Sequence, residues 1–348
     1  MTTSINTTPL HSEADLLALG ARAFQGLGLS EADARDVSRI LVTADLFGLS
    51  THGLSRIESY GERLAVAGIN PRAAIEVQSV GPALVRVDGD NGIGPLVGMR
   101  ALEAAMAAAR ACGVGVALAR GSNHFGPVSP YSLIAAEAGF ASIIGSNATT
   151  TIAPWGGSDA RLGNSPIGFG VPNPGGTPFL LDMAMSVAAR AKIRNALKRG
   201  EAIPDTWATD SQGRRTTDPA TALEGFLLPI GGHKGYGLAL MVDLFAGLLS
   251  DAAYLTHVKS WSDAPDQPQN LGHFFILIDT TRLGSATWLT SRMQDFASIL
   301  HASPPADPGQ HVIVPGEIEM GKLTRQRRDG IALDAATYGL LQQYAAQV

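Results

Sequence analysis

Two runs near the N-terminus carry apolar residues three and four apart, the spacing of an amphipathic helix. Ser12 and Ser30 precede them, each with an aspartate three residues on (Asp15 and Asp33), a variant of the capping-box spacing. The second run, Val37, Ile40, Leu41 and Ala44, ends near Gly48. A third helix is predicted from near His52 to Gly68, where Gly68 and Pro71 stop it. Its apolar stripe is Leu54, Ile57, Gly61 and Leu64.

From Ala73 the period shortens. Strands are predicted over 83–87, 113–119 and 141–145, a turn over 89–94, and helices over 99–111 and 131–138. Strands alternating with helices point to an α/β layer architecture. Between Thr149 and Asp182, five prolines and many glycines oppose regular structure, and long irregular segments inside compact domains are usually functional. Farther on, the pattern predicts a basic helix over 187–199, an amphipathic helix over 238–249 and a buried strand over 274–278.

Composition narrows the class. The chain has 348 residues, 45% hydrophobic and 16% charged, enough for two lobes or one large domain with a substantial core. A net charge of −5 argues against a nucleic-acid partner, because phosphate binding needs a surplus of Lys and Arg. The single cysteine, Cys112, cannot form an internal disulfide, and no Cys/His cluster has zinc-site spacing, so no metal is expected. Residues 1–10 are polar and lack the regions of a secretory signal. The longest apolar helical stretch, 236–249, is broken by Asp243 and falls short of the roughly 20 residues a bilayer needs. The expectation is a soluble cytoplasmic protein with no membrane partner.

Five places invite a chemical reading. If the chain is helical from His52, then His52, Arg56 and Tyr60 share one face, away from the Leu54 stripe. A proton carrier, a fixed cation and a phenol suit a carboxylate bound beside a group that gains or loses a proton. The plainer alternative is a solvated helix face. His124 lies in a Gly-rich turn after the 113–119 strand, where α/β sheets place ligands, or else caps the next helix. The segment 231–237 (Gly-Gly-His-Lys-Gly-Tyr-Gly) opens a helix and offers N–H groups and Lys234 to an anion, unless its glycines serve only tight packing. Gly92, Gly94 and Gly98 resemble a dinucleotide fingerprint. However, the spacing is one residue too long, Pro95 removes an N–H, and no acidic residue ends the next strand. Asp182, ending an apolar run, either orients a histidine or arginine or caps a helix.

Together these segments resemble the type-2 malate/L-lactate dehydrogenase family, which includes malate, ureidoglycolate and sulfolactate dehydrogenases and Δ1-piperideine-2-carboxylate reductases. The resemblance spans nearly the whole chain. It is carried by residues 45–60, His124-Phe125-Gly126, Pro154-Trp155-Gly156-Gly157, 203–208, 232–237, His273-Phe274-Phe275-Ile276, Val314-Pro315-Gly316-Glu317 and Arg328-Asp329-Gly330-Ile331. It implies an α/β, non-Rossmann NAD(P)-binding fold with a mixed sheet, helices and a helical N-terminal region. Residues 1–75 would pack with 305–348, and 76–304 would form the cofactor-binding domain. It further implies a homodimeric oxidoreductase.

By this resemblance His52 gives a proton to the substrate oxygen or imine nitrogen, with Thr51 and Asp182 holding its ring. Arg56 clamps the substrate carboxylate, with Tyr60 and Thr150 nearby, and His124 touches both nicotinamide and substrate. The two histidines compete for the acid/base role. His52 is favoured because Asp182 can orient it. Cofactor contacts are expected from His124, Pro172, Asn173, His233, Lys234, Pro315, Gly316 and Glu317, with Arg120, Lys192 and Arg194 as candidates for a 2′-phosphate. The chain departs from the family in having Thr51 for a frequent serine, and Gly163-Asn164-Ser165-Pro166 for Gly-Thr-Asn-Pro. The expected activity is NAD(P)H-dependent interconversion of a small 2-oxo acid and its 2-hydroxy acid. The alternatives are cyclic imine (Δ1-piperideine- or Δ1-pyrroline-2-carboxylate) reduction, ureidoglycolate oxidation, and a non-catalytic ligand-binding homologue.

Overall fold

The computed structural model describes residues 9–348, so most of the polar N-terminal stretch lies outside the described residues. In chain order, the first part comprises β1 (Leu10–His11), α1 (Glu13–Gly26), α2 (Glu31–Leu46), α3 (Ile57–Ala65), β2 (Glu76–Gly81), β3 (Leu84–Asp88), α4 (Gly94–Cys112), β4 (Val114–Ser122), α5 (Ser129–Glu137) and β5 (Phe140–Ser146). Then come β6 (Thr150–Ile152), β7 (Leu162–Gly163), β8 (Ile167–Val171), β9 (Phe179–Met183), α6 (Arg190–Arg199), α7 (Pro219–Glu224) and α8 (His233–Asp243). The chain finishes with β10 (Leu271–Asp279), α9 (Ala286–His301), α10 (Glu317–Asp329), β11 (Ile331–Ala332) and α11 (Ala335–Ala345).

Seven strands form one mixed sheet in the order β2-β3-β4-β10-β5-β8-β9. Only β3 and β4 run parallel; every other neighbouring pair is antiparallel. The nearly wholly buried β10 is the central strand, which accounts for its continuous apolar run. Helices α4 and α5 cover one face over a core that includes Phe125, Tyr131, Phe140 and Phe275. Gly115 on β4 lets α4 approach: a Cβ there would come within 2.0 Å of the Ala105 carbonyl oxygen.

A second core joins α1, α2 and α3 to the C-terminal helices through Leu16, Phe24, Leu41, Phe47, Leu323 and Leu341. Each fully buried side chain of this kind contributes on the order of 1.5–3 kcal/mol. The two serine caps form as their spacing predicts: Ser12 Oγ accepts from Asp15 N–H at 3.1 Å and Ser30 Oγ from Asp33 N–H at 3.2 Å.

Three elements differ from the pattern-based expectation. The helix predicted from His52 is broken into two 3-10 turns, Ser50–His52 and Leu54–Arg56, before α3 begins at Ile57. The cause is Asp45. Its carboxylate accepts from Leu54 N–H at 2.8 Å and occupies the space where a Cβ on Gly53 would stand, 2.0 Å from Oδ1. The basic helix starts only at Arg190, because the chain before it bridges to residues 228–230: Val187 N–H donates to Leu228 O and Ile230 N–H to Met185 O. The helix predicted over 238–249 begins at His233, and after Asp243 it widens into a π turn over Leu244–Leu248.

The turn into α4 is filled by protein. A Cβ on Gly94 would lie 2.1 Å from the His124 carbonyl oxygen and 2.3 Å from that of Asn123. That packing brings α4 onto the turn carrying His124 and leaves no room there for a pyrophosphate.

Candidate active site

A cavity of about 1230 Å³ opens where β4 and β5 end and β9 passes beneath α5. His52, Arg56, His124, Thr150 and Asp182 line it, as do Pro315 and Gly316. Residues from five separate stretches of the chain therefore meet at one place. Broken as it is, the 50–56 segment still turns His52 and Arg56 to the same side, and α3 continues to Tyr60.

The two histidines stand close, with ring centroids 5.6 Å apart. His52 Nδ1 lies 2.9 Å from the Thr51 hydroxyl, leaving Nε2 for other partners. Burial, and then the Arg56 charge, lower its pKa to about 4. His124 is held differently. The fully buried Tyr60 hydroxyl lies 3.0 Å from the His124 carbonyl oxygen, to which it donates, and 2.8 Å from His124 Nδ1. Burial raises the Tyr60 pKa, so the phenol keeps its single proton. With that proton on the carbonyl, the hydroxyl oxygen accepts from Nδ1–H and His124 keeps a lone pair on Nε2. Burial, followed by Arg56 and His52, holds the His124 pKa well below the ordinary histidine value. The Trp261 ring meets Tyr60 and His124 edge-on, at 5.6 and 5.8 Å.

Arg56 Nε is buried without a hydrogen-bond partner, and among the described residues no carboxylate lies within ion-pair distance of its guanidinium. Burial lowers its pKa, and the nearby Arg194 charge adds to that. A half-buried cation facing a cavity beside a second cation is stabilised by an anion placed between them.

Asp182 lies on the cavity wall, but its carboxylate accepts from Ser129 N–H at 2.8 Å, at the start of α5. No hydrogen bond joins it to His52, whose ring partner is Thr51. Of the two readings open for Asp182, the structure has the capping one, though of a helix that precedes it in sequence. The β8–β9 hairpin carries the carboxylate under that helix.

Thr51 and Tyr60 stand off the cavity lining, Thr51 touching His52 and Tyr60 touching His124 and Trp261. Pro172, Asn173, His233, Lys234 and Glu317 stand off its lining. Asn173 Nδ2 donates to Thr177 O at 3.1 Å within its own turn. His233 opens α8 with its ring against Trp155, and Glu317 accepts from Val314 N–H at 3.0 Å and pairs with His301. Of the three candidate phosphate cations, Arg194 lines the cavity, Lys192 does not, and Arg120 is paired with Asp88 and Asp251. The pattern gave no signal for Trp261 or Arg190, because both reach the cavity from irregular chain or from a helix's first turn.

A family model described as malate/L-lactate dehydrogenase matches residues 11–342. The chain belongs to the malate/L-lactate dehydrogenase family. It is 35% identical to the malate dehydrogenase of Pyrococcus abyssi, covering 90% of this chain and 87% of that one. With the Δ1-pyrroline-2-carboxylate reductase of Ancylobacter novellus it shares 36% identity over 90% of this chain and 91% of the other. The solved sulfolactate dehydrogenase of Methanocaldococcus jannaschii superposes with a TM-score of 0.89 at 33% identity, covering 97% of each chain. Membership makes this family chain an oxidoreductase, an NAD(P)-dependent dehydrogenase or reductase. The cavity suits such a cofactor. Its volume exceeds the roughly 300–1,000 Å³ of ordinary small-ligand pockets, and the cationic residues Arg56, Arg190 and Arg194 line it, a charge that suits an anionic cofactor and substrate.

Proposed function

We propose that the chain interconverts a small 2-oxo acid and its 2-hydroxy acid, with Arg56 binding the carboxylate and His52 moving the proton. The observation that carries this reading is the unpaired Arg56 guanidinium in one cavity with two inequivalent histidines. The nicotinamide cofactor, when bound, would supply the hydride as NAD(P)H or accept it as NAD(P)+. Pro315 and Gly316 line the same cavity, as does Arg190, whose guanidinium is held by donation to the Leu223 and Gly225 carbonyls.

The proton step follows from the charges. Without substrate, burial and Arg56 keep His52 neutral near pH 7. A carboxylate on Arg56 offsets the second of these causes, so substrate binding lifts the His52 pKa and recruits the proton it will hand over. Nε2 is the nitrogen free to deliver it, since Nδ1 faces Thr51. His124, with its proton fixed on Nδ1 by Tyr60, presents an acceptor and not a donor. That contrast, in place of the expected Asp182 contact, supports the reading in which His52 is the donor. A positioned acid of this kind contributes about 10²–10⁴-fold.

Arg194 lines the cavity close enough to Arg56 to depress its pKa. This supports substrates with a second anionic group. A second reading, reduction of a cyclic imino acid, is favoured by the likeness to the Ancylobacter reductase. Such a substrate offers the same carboxylate to Arg56 and a C=N bond to the hydride.

The reading includes a homodimer, supported by Leu238, Met241, Phe245, Leu248 and Leu249, which stand exposed along α8 and the π turn. The deciding test is a panel of oxaloacetate, pyruvate and Δ1-pyrroline-2-carboxylate, followed by loss of NADH or NADPH absorbance. Turnover of a 2-oxo acid supports the first reading, turnover of the imine alone the second, and turnover of none refutes both.

A further inference from the structure

Residues 258–270, between a 3-10 turn (Leu255–His257) and β10, run without helix or strand and form one wall of the cavity through Trp261, Asp263 and Pro265. Such a segment has few backbone partners of its own. What holds it is a guanidinium. Arg63 on α3 is 1% exposed, and its Nη1 donates to Trp261 O at 3.0 Å and Ala264 O at 3.2 Å. Its Nη2 donates to Gln267 O at 2.7 Å and Gly68 O at 3.2 Å. The guanidinium also lies over the Trp261 ring, 4.7 Å from its centroid.

Three carbonyls of the strap thus converge on one planar fork, an arrangement that a lysine, with three donors on one nitrogen, cannot reproduce. The strap is seated closely as well. A Cβ on Gly68 would come 1.8 Å from Pro265 O, so only glycine admits the strap at that depth. Trp261, so placed, packs edge-on against Tyr60 and His124. One helix therefore reaches the reaction twice: through Tyr60 to His124, and through Arg63 to the tryptophan beside it.

We propose that Arg63 is a positioning residue, which fixes Trp261 as the wall of the substrate end of the cavity and so limits the bulk of acid admitted. The proposal rests on the 2-oxo acid reading for its kinetic consequence but not for its structural one.

The test compares R63M, R63K and G68A with the parent, using W261F to isolate the Trp261 emission from that of the other three tryptophans. G68A leaves the guanidinium intact and needs no left-handed backbone, so it serves if R63M does not fold. The expected result is a red shift of Trp261 emission in R63M and G68A, with a smaller shift in R63K. With NADH or NADPH saturating, whichever the parent oxidises, the KM for phenylpyruvate relative to that for pyruvate falls by about tenfold in R63M and G68A, while kcat on pyruvate changes less. Unchanged Trp261 emission in both, or an unchanged phenylpyruvate-to-pyruvate ratio despite the red shift, overturns the proposal. If the parent reduces neither acid, the functional reading has failed, and the emission of the two variants still decides whether Arg63 and Gly68 seat the strap.

Discussion

The Tyr60 hydroxyl bridges the Nδ1 and the carbonyl oxygen of a single residue, His124, at 2.8 and 3.0 Å. With the phenolic proton on the carbonyl, the hydroxyl oxygen accepts from Nδ1–H of an imidazole that lines the cavity. Removing the hydroxyl in Y60F frees the ring to flip or change tautomer. The kcat is expected to fall about 10- to 100-fold with little change in KM. Loss of the buried bond should lower stability by about 1–2 kcal/mol. Steady-state kinetics and urea unfolding measure the two. A Y60F enzyme with parental kcat would show that the His124 tautomer does not matter.

Arg56 has no internal anion to release, so its substitution acts on substrate. R56M should raise the KM for a 2-oxo acid by about 10- to 100-fold, the worth of a charged hydrogen bond at roughly 1.5–3 kcal/mol. R56K should recover part of it, lacking the bidentate fork. H52Q should instead lower kcat. Equal effects of the two on KM and kcat would break the division of labour.

Arg194 separates substrates by charge. R194A is expected to weaken oxaloacetate selectively against pyruvate, by about tenfold in kcat/KM. A uniform loss on both acids would instead tie Arg194 to the cofactor.

The depressed His52 pKa makes anion binding pH-dependent. The free residue titrates at about 4, and an anion on Arg56 moves it upward. Between those two values the complex holds a proton that the free enzyme lacks, so affinity for the pyruvate analogue oxamate should rise as pH falls from the ordinary histidine value toward about 4. Calorimetry in buffers of different ionisation heat would detect the proton uptake. H52Q should abolish it.

Met241 sits exposed at the middle of the apolar α8 face. M241E places a charge in the inferred subunit contact and should convert dimer to monomer in light scattering, with the helix content unchanged. A monomeric parent would remove the basis for this interface.

Much of the fold was legible because local physics writes it along the chain. Ser12 and Ser30 cap the helices they precede, and the alternating and continuous apolar runs marked β3, β4, β5 and β10 within a few residues of their ends. The break at Gly53 was not legible, because it depends on the Asp45 carboxylate reaching across from another helix. The π turn after Asp243 lacks any period of its own, so the pattern read straight through it.

For the site, the sequence alone determined which chemistry was on hand: a histidine and an arginine four residues apart, a second histidine after a strand, and an aspartate ending an apolar run. Residue types and short spacings carry that much, since they act over one or two turns of backbone. Which of those groups meet was decided by the tertiary structure. Asp182 went to α5 because β9 runs beneath that helix, and Tyr60 went to His124 because α3 packs against the turn after β4. Arg63 found a strap some 200 residues later in the chain. Hydrogen bonds between side chain and distant backbone leave no periodic trace in a sequence, for their partners are carbonyls that every residue possesses.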